Sequence, residues 1–219
     1  MIVFASAHDA PTRANHAVAS RIRGEGDVFL EALGATREAL WAALDASNAP
    51  LLAMSHGDVD KLFAQGGKEM PPALLVEEES LAILRRRPVF AHACYTARDL
   101  GKHASLRGSV WWGYQHPVLA PEEDPVLLPV FVEVFSFIKS AFPDAQTEEQ
   151  QKQFLVELSE LCQDALDRLD DIHDKGETIV PQDAHVCLLQ VRKDLVVWRP
   201  GADEPLRSPH REPGAPVFL

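Results

Sequence analysis

Five short apolar runs punctuate the first 115 residues: Ile2–Ala7, Val28–Leu33, Leu51–Ser55, Val89–Cys94 and Ser109–Tyr114. They are near-continuously apolar rather than alternating, which is how strands read when both faces of a sheet are covered. Helical patterns fall between them. Thr12–Ile22 opens after Pro11. Ala35–Ala46 sets Leu40, Trp41 and Leu44 on one face, and Glu78–Arg86 ends in three arginines that complement a helix C-terminus. Ala97–His103 reads as a short helix or turn, and Gly57–Met70 as a polar hairpin or loop. Strands alternating with helices predict an α/β chain with a mostly parallel central sheet.

The second half changes character. Pro125–Phe142 and Thr147–Lys175 read as two helices, the second with a stripe of Leu155, Leu158, Cys162, Ala165, Leu169 and Ile172. His185–Val191 and Leu195–Trp198, either side of Arg192-Lys193-Asp194, read as a hairpin, and the proline-rich tail 200–219 as irregular. A length of 219 residues suits a single domain over 1–219. It divides into core strands (1–115), a helical segment (121–180), a terminal hairpin (184–199) and the tail.

Charge belongs to the helical segment. The chain carries a net −12, and residues 121–180 hold 15 acidic against 4 basic side chains. This argues against nucleic acid as a partner, because phosphate binding needs a basic surface. No apolar run is long enough to span a membrane, and no secretory leader pattern opens the sequence. Cys94, Cys162 and Cys187 are odd in number and scattered, as expected of reduced thiols in a cytoplasmic protein.

Two strand ends carry reactive groups. Leu51 to Met54 runs into Ser55-His56-Gly57, and Val89 to His92 runs into Ala93-Cys94-Tyr95-Thr96. In parallel sheets the carboxyl ends of strands share the ligand-binding edge. If the two strands are neighbours, His56 can assist the Cys94 thiol as a nucleophile, and the Gly57 N–H can receive an oxyanion. The bland alternative is a small buried cysteine and a stray histidine. Trp111 and Trp112 alternate on their strand, so one packs inward and the other, Trp112, is a candidate for the substrate cleft. His8, His56 and His92 lie at three strand ends, but no His-x-x-x-His or carboxylate pattern accompanies them, so no metal and no cofactor is expected.

Strand-Ser-His-Gly followed some forty residues later by strand-x-Ala-Cys-x-Thr resembles the caspase-like cysteine peptidases, in particular their bacterial CHAT branch. The likeness covers roughly residues 1–115. It implies a three-layer caspase-like fold, here with an acidic two-helix segment before a C-terminal hairpin. It implies peptide-bond hydrolysis by His56 and Cys94, with the oxyanion held by the N–H groups of Gly57 and Cys94. It places the pocket for the residue before the scissile bond (P1) near Asp9 and His92, and an acidic Asp9 would favour Arg or Lys there. Asp9 reads equally well as a helix cap ahead of Pro11-Thr12. The implied setting is a bacterial stress or defence pathway, with a protein or peptide substrate and a regulatory protein partner. The alternative function is a non-catalytic module that docks a basic partner through its acidic helices.

Overall fold

A computed structural model describes residues 1–210. In chain order the elements are β1 (Ile2–Ala5), α1 (Ala10–Ile22), β2 (Val28–Glu31), α2 (Arg37–Ala46), β3 (Leu51–Met54), β4 (Gly57–Asp58), β5 (Lys61–Leu62), β6 (Leu74–Leu75), α3 (Glu78–Ile83) and β7 (Val89–His92). They continue with α4 (Asp99–Leu106), β8 (Trp111–Tyr114), α5 (Leu128–Ala141), α6 (Glu148–Asp174), α7 (Gln182–Asp194), β9 (Leu195–Trp198) and β10 (Leu206–Arg207). Seven strands form one sheet in the order β10-β9-β8-β7-β3-β1-β2. The run from β2 to β8 is parallel, and β9 and β10 join antiparallel. A small antiparallel sheet, β4-β5-β6, follows the end of β3.

Each parallel strand sends alternate side chains to opposite faces, and both faces are apolar. Val3, Leu52, Phe90 and Trp112 join one core, packed under α1, α5, α6 and α7. Ile2, Leu51, Val89 and Trp111 join the other, under α2, α3 and α4. This is the three-layer α/β arrangement expected of buried parallel strands. Helix α6 buries Phe154, Leu155, Leu158, Cys162, Ala165, Leu166 and Leu169. Its start is fixed by a capping box, in which the Thr147 hydroxyl accepts from the Gln150 N–H and the Gln150 side chain accepts from the Thr147 N–H.

Three expectations are corrected. Residues 185–191 are helical, so no hairpin joins them to Leu195–Trp198. Ala184, Cys187, Leu188 and Val191 are buried at helical spacing, and Arg192 and Lys193 end the helix instead of making a turn. The hairpin-like partner of β9 is β10, which draws residues 206–207 of the supposedly irregular tail into the sheet. The part of that tail from 211 to 219 lies outside the described residues. Trp112 does not reach a cleft: it is fully buried against Phe154, because β8 is covered on both faces.

Candidate active site

β3 and β7 are direct neighbours, in register from Leu51↔Val89 to Met54↔His92. The pairing extends one step further, with the Ser55 N–H donating to the His92 carbonyl at 3.3 Å. His56 and Cys94 therefore leave adjacent strands at equivalent positions. Both line one cleft of about 360 Å³ at the carboxyl edge of the sheet. A Cβ on Gly57 would fall 2.5 Å from the Cys94 carbonyl oxygen, so only glycine lets the two strand extensions pass this closely. The Phe63 N–H donates to the His56 carbonyl at 3.0 Å. By the alternation of an antiparallel ladder, the next pair, Gly57↔Leu62, is not hydrogen-bonded, and the Gly57 N–H turns away from β5. Just past Cys94, Tyr95 adopts a left-handed backbone (φ 61°), which bends the chain sharply behind the thiol.

β1 lies on the other side of β3, and its extension supplies Asp9. The Ser6 and Ser55 hydroxyls meet at 2.6 Å, and Ser55 in turn donates to the Phe63 carbonyl, which ties the two extensions together. Asp9 caps α1: its Oδ1 accepts from the Thr12 N–H at 3.1 Å and from the Thr12 hydroxyl at 2.6 Å. Its other oxygen, Oδ2, lies 2.6 Å from His56 Nε2. Burial pushes the Asp9 carboxyl up, but hydrogen bonds from Thr12 and His56 outweigh it and pull the carboxyl down to about 2. Asp9 is thus ionised at neutral pH and accepts the Nε2 proton of His56, leaving Nδ1 with the free lone pair. Both oxygens are engaged, one on its own helix and one on His56. The sequence assigned this residue to substrate binding or to a cap, whereas the structure makes it a cap and a partner of His56.

The Cys94 thiol is partly buried. Its Sγ lies 3.4 Å from both the carbonyl and the N–H of Val118. Burial raises its ionisation above the ordinary thiol range, against a smaller pull from the Val118 and Cys94 backbone and with a further push from Asp58. The free protein therefore holds a thiol rather than a thiolate at neutral pH.

His92 forms part of the cleft wall but is almost fully buried. Its Nε2 faces the Leu119 carbonyl at 3.1 Å and its Nδ1 the Tyr114 hydroxyl at 3.3 Å, so the neutral ring donates to the first and accepts from the second. Burial drives its ionisation down to about 4, only partly offset by the Leu119 carbonyl. Its ring also meets Phe135 edge-on. His92 props up the loop that carries Val118 and Leu119 beside the thiol.

The far wall of the cleft carries groups that the sequence did not single out. Glu122, Glu123 and Asp183 line it, as does Asn15 from α1. Asn15 is 4% exposed, and its Oδ1 has no hydrogen-bond partner. Burial, with Asp183, Asp124 and Glu123 close by, raises the Glu122 carboxyl. The acidity of residues 121–180 hinted at Glu122 and Glu123, and nothing in the sequence singled out Asp183. Cys162 and Cys187 are buried in the helical core and do not line this cleft, and burial holds both thiols high. No protein-family model matches the chain, and no curated protein matches it significantly.

Proposed function

We propose that the chain is a caspase-like cysteine endopeptidase acting through Cys94, His56 and Asp9. One observation carries the reading: a cysteine and a histidine at equivalent ends of adjacent parallel strands line one cleft, and the histidine is hydrogen-bonded to an ionised carboxylate. That is a nucleophile, a base and a group that orients the base.

Because the thiol is protonated at rest, its proton moves as it attacks. His56 Nδ1 takes the Sγ proton while sulfur bonds to the scissile carbonyl carbon. The carbonyl oxygen becomes an oxyanion held by the Gly57 and Cys94 N–H groups. As the tetrahedral species collapses, the C–N bond breaks, and His56 returns the proton to the leaving amine. Water, deprotonated by His56, then attacks the thioester; the C–S bond breaks and the thiol is restored. Asp9 stabilises the positively charged ring in both halves of the cycle and holds its tautomer. The carboxylates of Glu122, Glu123 and Asp183, with the free Asn15 oxygen, favour Arg or Lys before the scissile bond. This role falls to them rather than to Asp9.

The test is hydrolysis of a mixed peptide library. The wild type is expected to cleave after Arg or Lys, and Cys94→Ala to lose all cleavage. If wild type and variant are equally inert, the peptidase reading fails, and a docking module with an acidic surface replaces it.

A further inference from the structure

One side chain beside the site is left unexplained by peptide hydrolysis. His8 packs edge-on against His56, with ring centroids 5.4 Å apart. Its Nδ1 is buried with no hydrogen-bond partner. Its Nε2 lies 3.8 Å from Asp9 Oδ2, beyond hydrogen-bond reach. Gly67 makes room for the ring, since a Cβ there would fall 2.8 Å from His8 Nε2. So the chain holds an imidazole against a histidine–carboxylate pair, within ion-pair distance of Asp9 but with no hydrogen bond at its buried Nδ1.

His8, Asp9 and His56 each offer one donor atom within 4.8 Å of the other two, and the nitrogens nearest Asp9 Oδ2 are Nε2 of His8 and Nε2 of His56. Ligands about 2.0–2.2 Å from a tetrahedral zinc ion stand about 3.3 Å apart. The observed 2.6 Å and 3.8 Å separations from Oδ2 bracket that spacing. Asp9 Oδ1 stays on Thr12, so the carboxylate can offer Oδ2 without losing its place as the helix cap. The three side chains are 19%, 42% and 35% exposed, which leaves a way in from solvent and an open position for water. Two neutral imidazoles and one carboxylate suit a borderline dication such as Zn²⁺ over Mg²⁺ or Ca²⁺.

We infer that His8, Asp9 and His56 form a site for a transition-metal dication of the zinc type, and that filling it switches the Cys94 centre off. The metal takes the place of the proton between His56 Nε2 and Asp9. The ring's proton then sits on Nδ1, whose lone pair is no longer available to accept the thiol proton. The binding stands on the geometry alone, whereas the switching-off rests on the peptidase reading.

The experiment is titration of the full chain with ZnCl2 against a chromophoric chelator. One equivalent is expected to bind to the wild type, and equally to Cys94→Ala, because the thiol is not a ligand. His8→Ala and the bulkier His8→Gln are expected to weaken binding at least about tenfold, with unchanged circular dichroism. Equal affinity in the folded His8 variants, or loss of binding in Cys94→Ala, would overturn the site. Binding without inhibition of peptide cleavage would overturn the switch alone. A chain that binds zinc but cleaves no peptide would count against the peptidase reading and leave the site standing.

Discussion

At the scale of single residues, the two oxygens of Asp9 do different jobs, and a conservative substitution separates them. Asparagine caps a helix as well as aspartate. In Asp9→Asn the amide oxygen can still accept from Thr12, which turns the amide NH2 toward His56 Nε2. The ring must then accept at Nε2 and carry its proton on Nδ1, the wrong tautomer for the proposed base. Asp9→Asn is expected to keep the helix cap but to lose about 1 kcal/mol of stability with the carboxylate charge, and to lose at least about a hundredfold in kcat. Urea denaturation and peptide kinetics on the same preparation check both halves. The ionised carboxylate also has a pH signature. Its folded-state value is depressed to about 2, so its stabilising effect is complete above the ordinary carboxylate range and is lost as pH falls through about 2. Of this constellation, His56, Cys94 and Gly57 are visible in the sequence because each closes an apolar strand. The Asp9–His56 contact is not, since it depends on β1 and β3 being neighbours. Nothing in the spacing of His92 separates a pocket residue from a buried prop.

At the scale of elements, the join between helices and sheet rests on a buried cation. Arg87 is 2% exposed and donates to the carbonyls of Leu84, Ala49, Leu44, Ser47 and Ile83. These include carbonyls at the C-terminal ends of α2 and α3, Leu44 and Ile83 among them. Burial and the nearby Arg85 lower its ionisation to about 10, so it remains charged at neutral pH. The sequence shows the arginine run as a favourable helix end, but not that one member crosses to a second helix. Arg87→Met is expected to cost about 2–4 kcal/mol in urea unfolding, because it strands buried carbonyls. Arg87→Lys recovers only part, since an ammonium cannot span the same set. The misread element, α7, shows how local signals compete. Val186 to Val191 has the apolar density of a strand, while its helical stripe is short and interrupted by the buried, polar Gln190. Gln190 is itself used: it accepts from the Leu119 N–H at 2.7 Å and donates to the Pro117 carbonyl, fixing the loop over Cys94.

At the scale of the whole molecule, a sheet drawn from both ends of the chain carries reactive groups on one edge. The parallel strands were legible because full burial on both faces leaves a plain apolar signature. The order of strands was not, because it is set by how the helices cover the two faces. The acidic segment proves to have two sides. The buried stripes of α5 and α6 close one core, while the connection before α5 brings Glu122 and Glu123 to the cleft. Among the described residues, no helix is long and apolar enough to cross a membrane. The proposed peptidase activity requires that Cys94 be a nucleophile served by His56. Incubation with a peptidyl chloromethyl ketone ending in arginine, followed by intact-mass and peptide mapping, measures this directly. One adduct per chain on Cys94, absent in His56→Ala and slower for the same reagent ending in aspartate, is the predicted result. No adduct on Cys94, or equal labelling of wild type and His56→Ala, would contradict it.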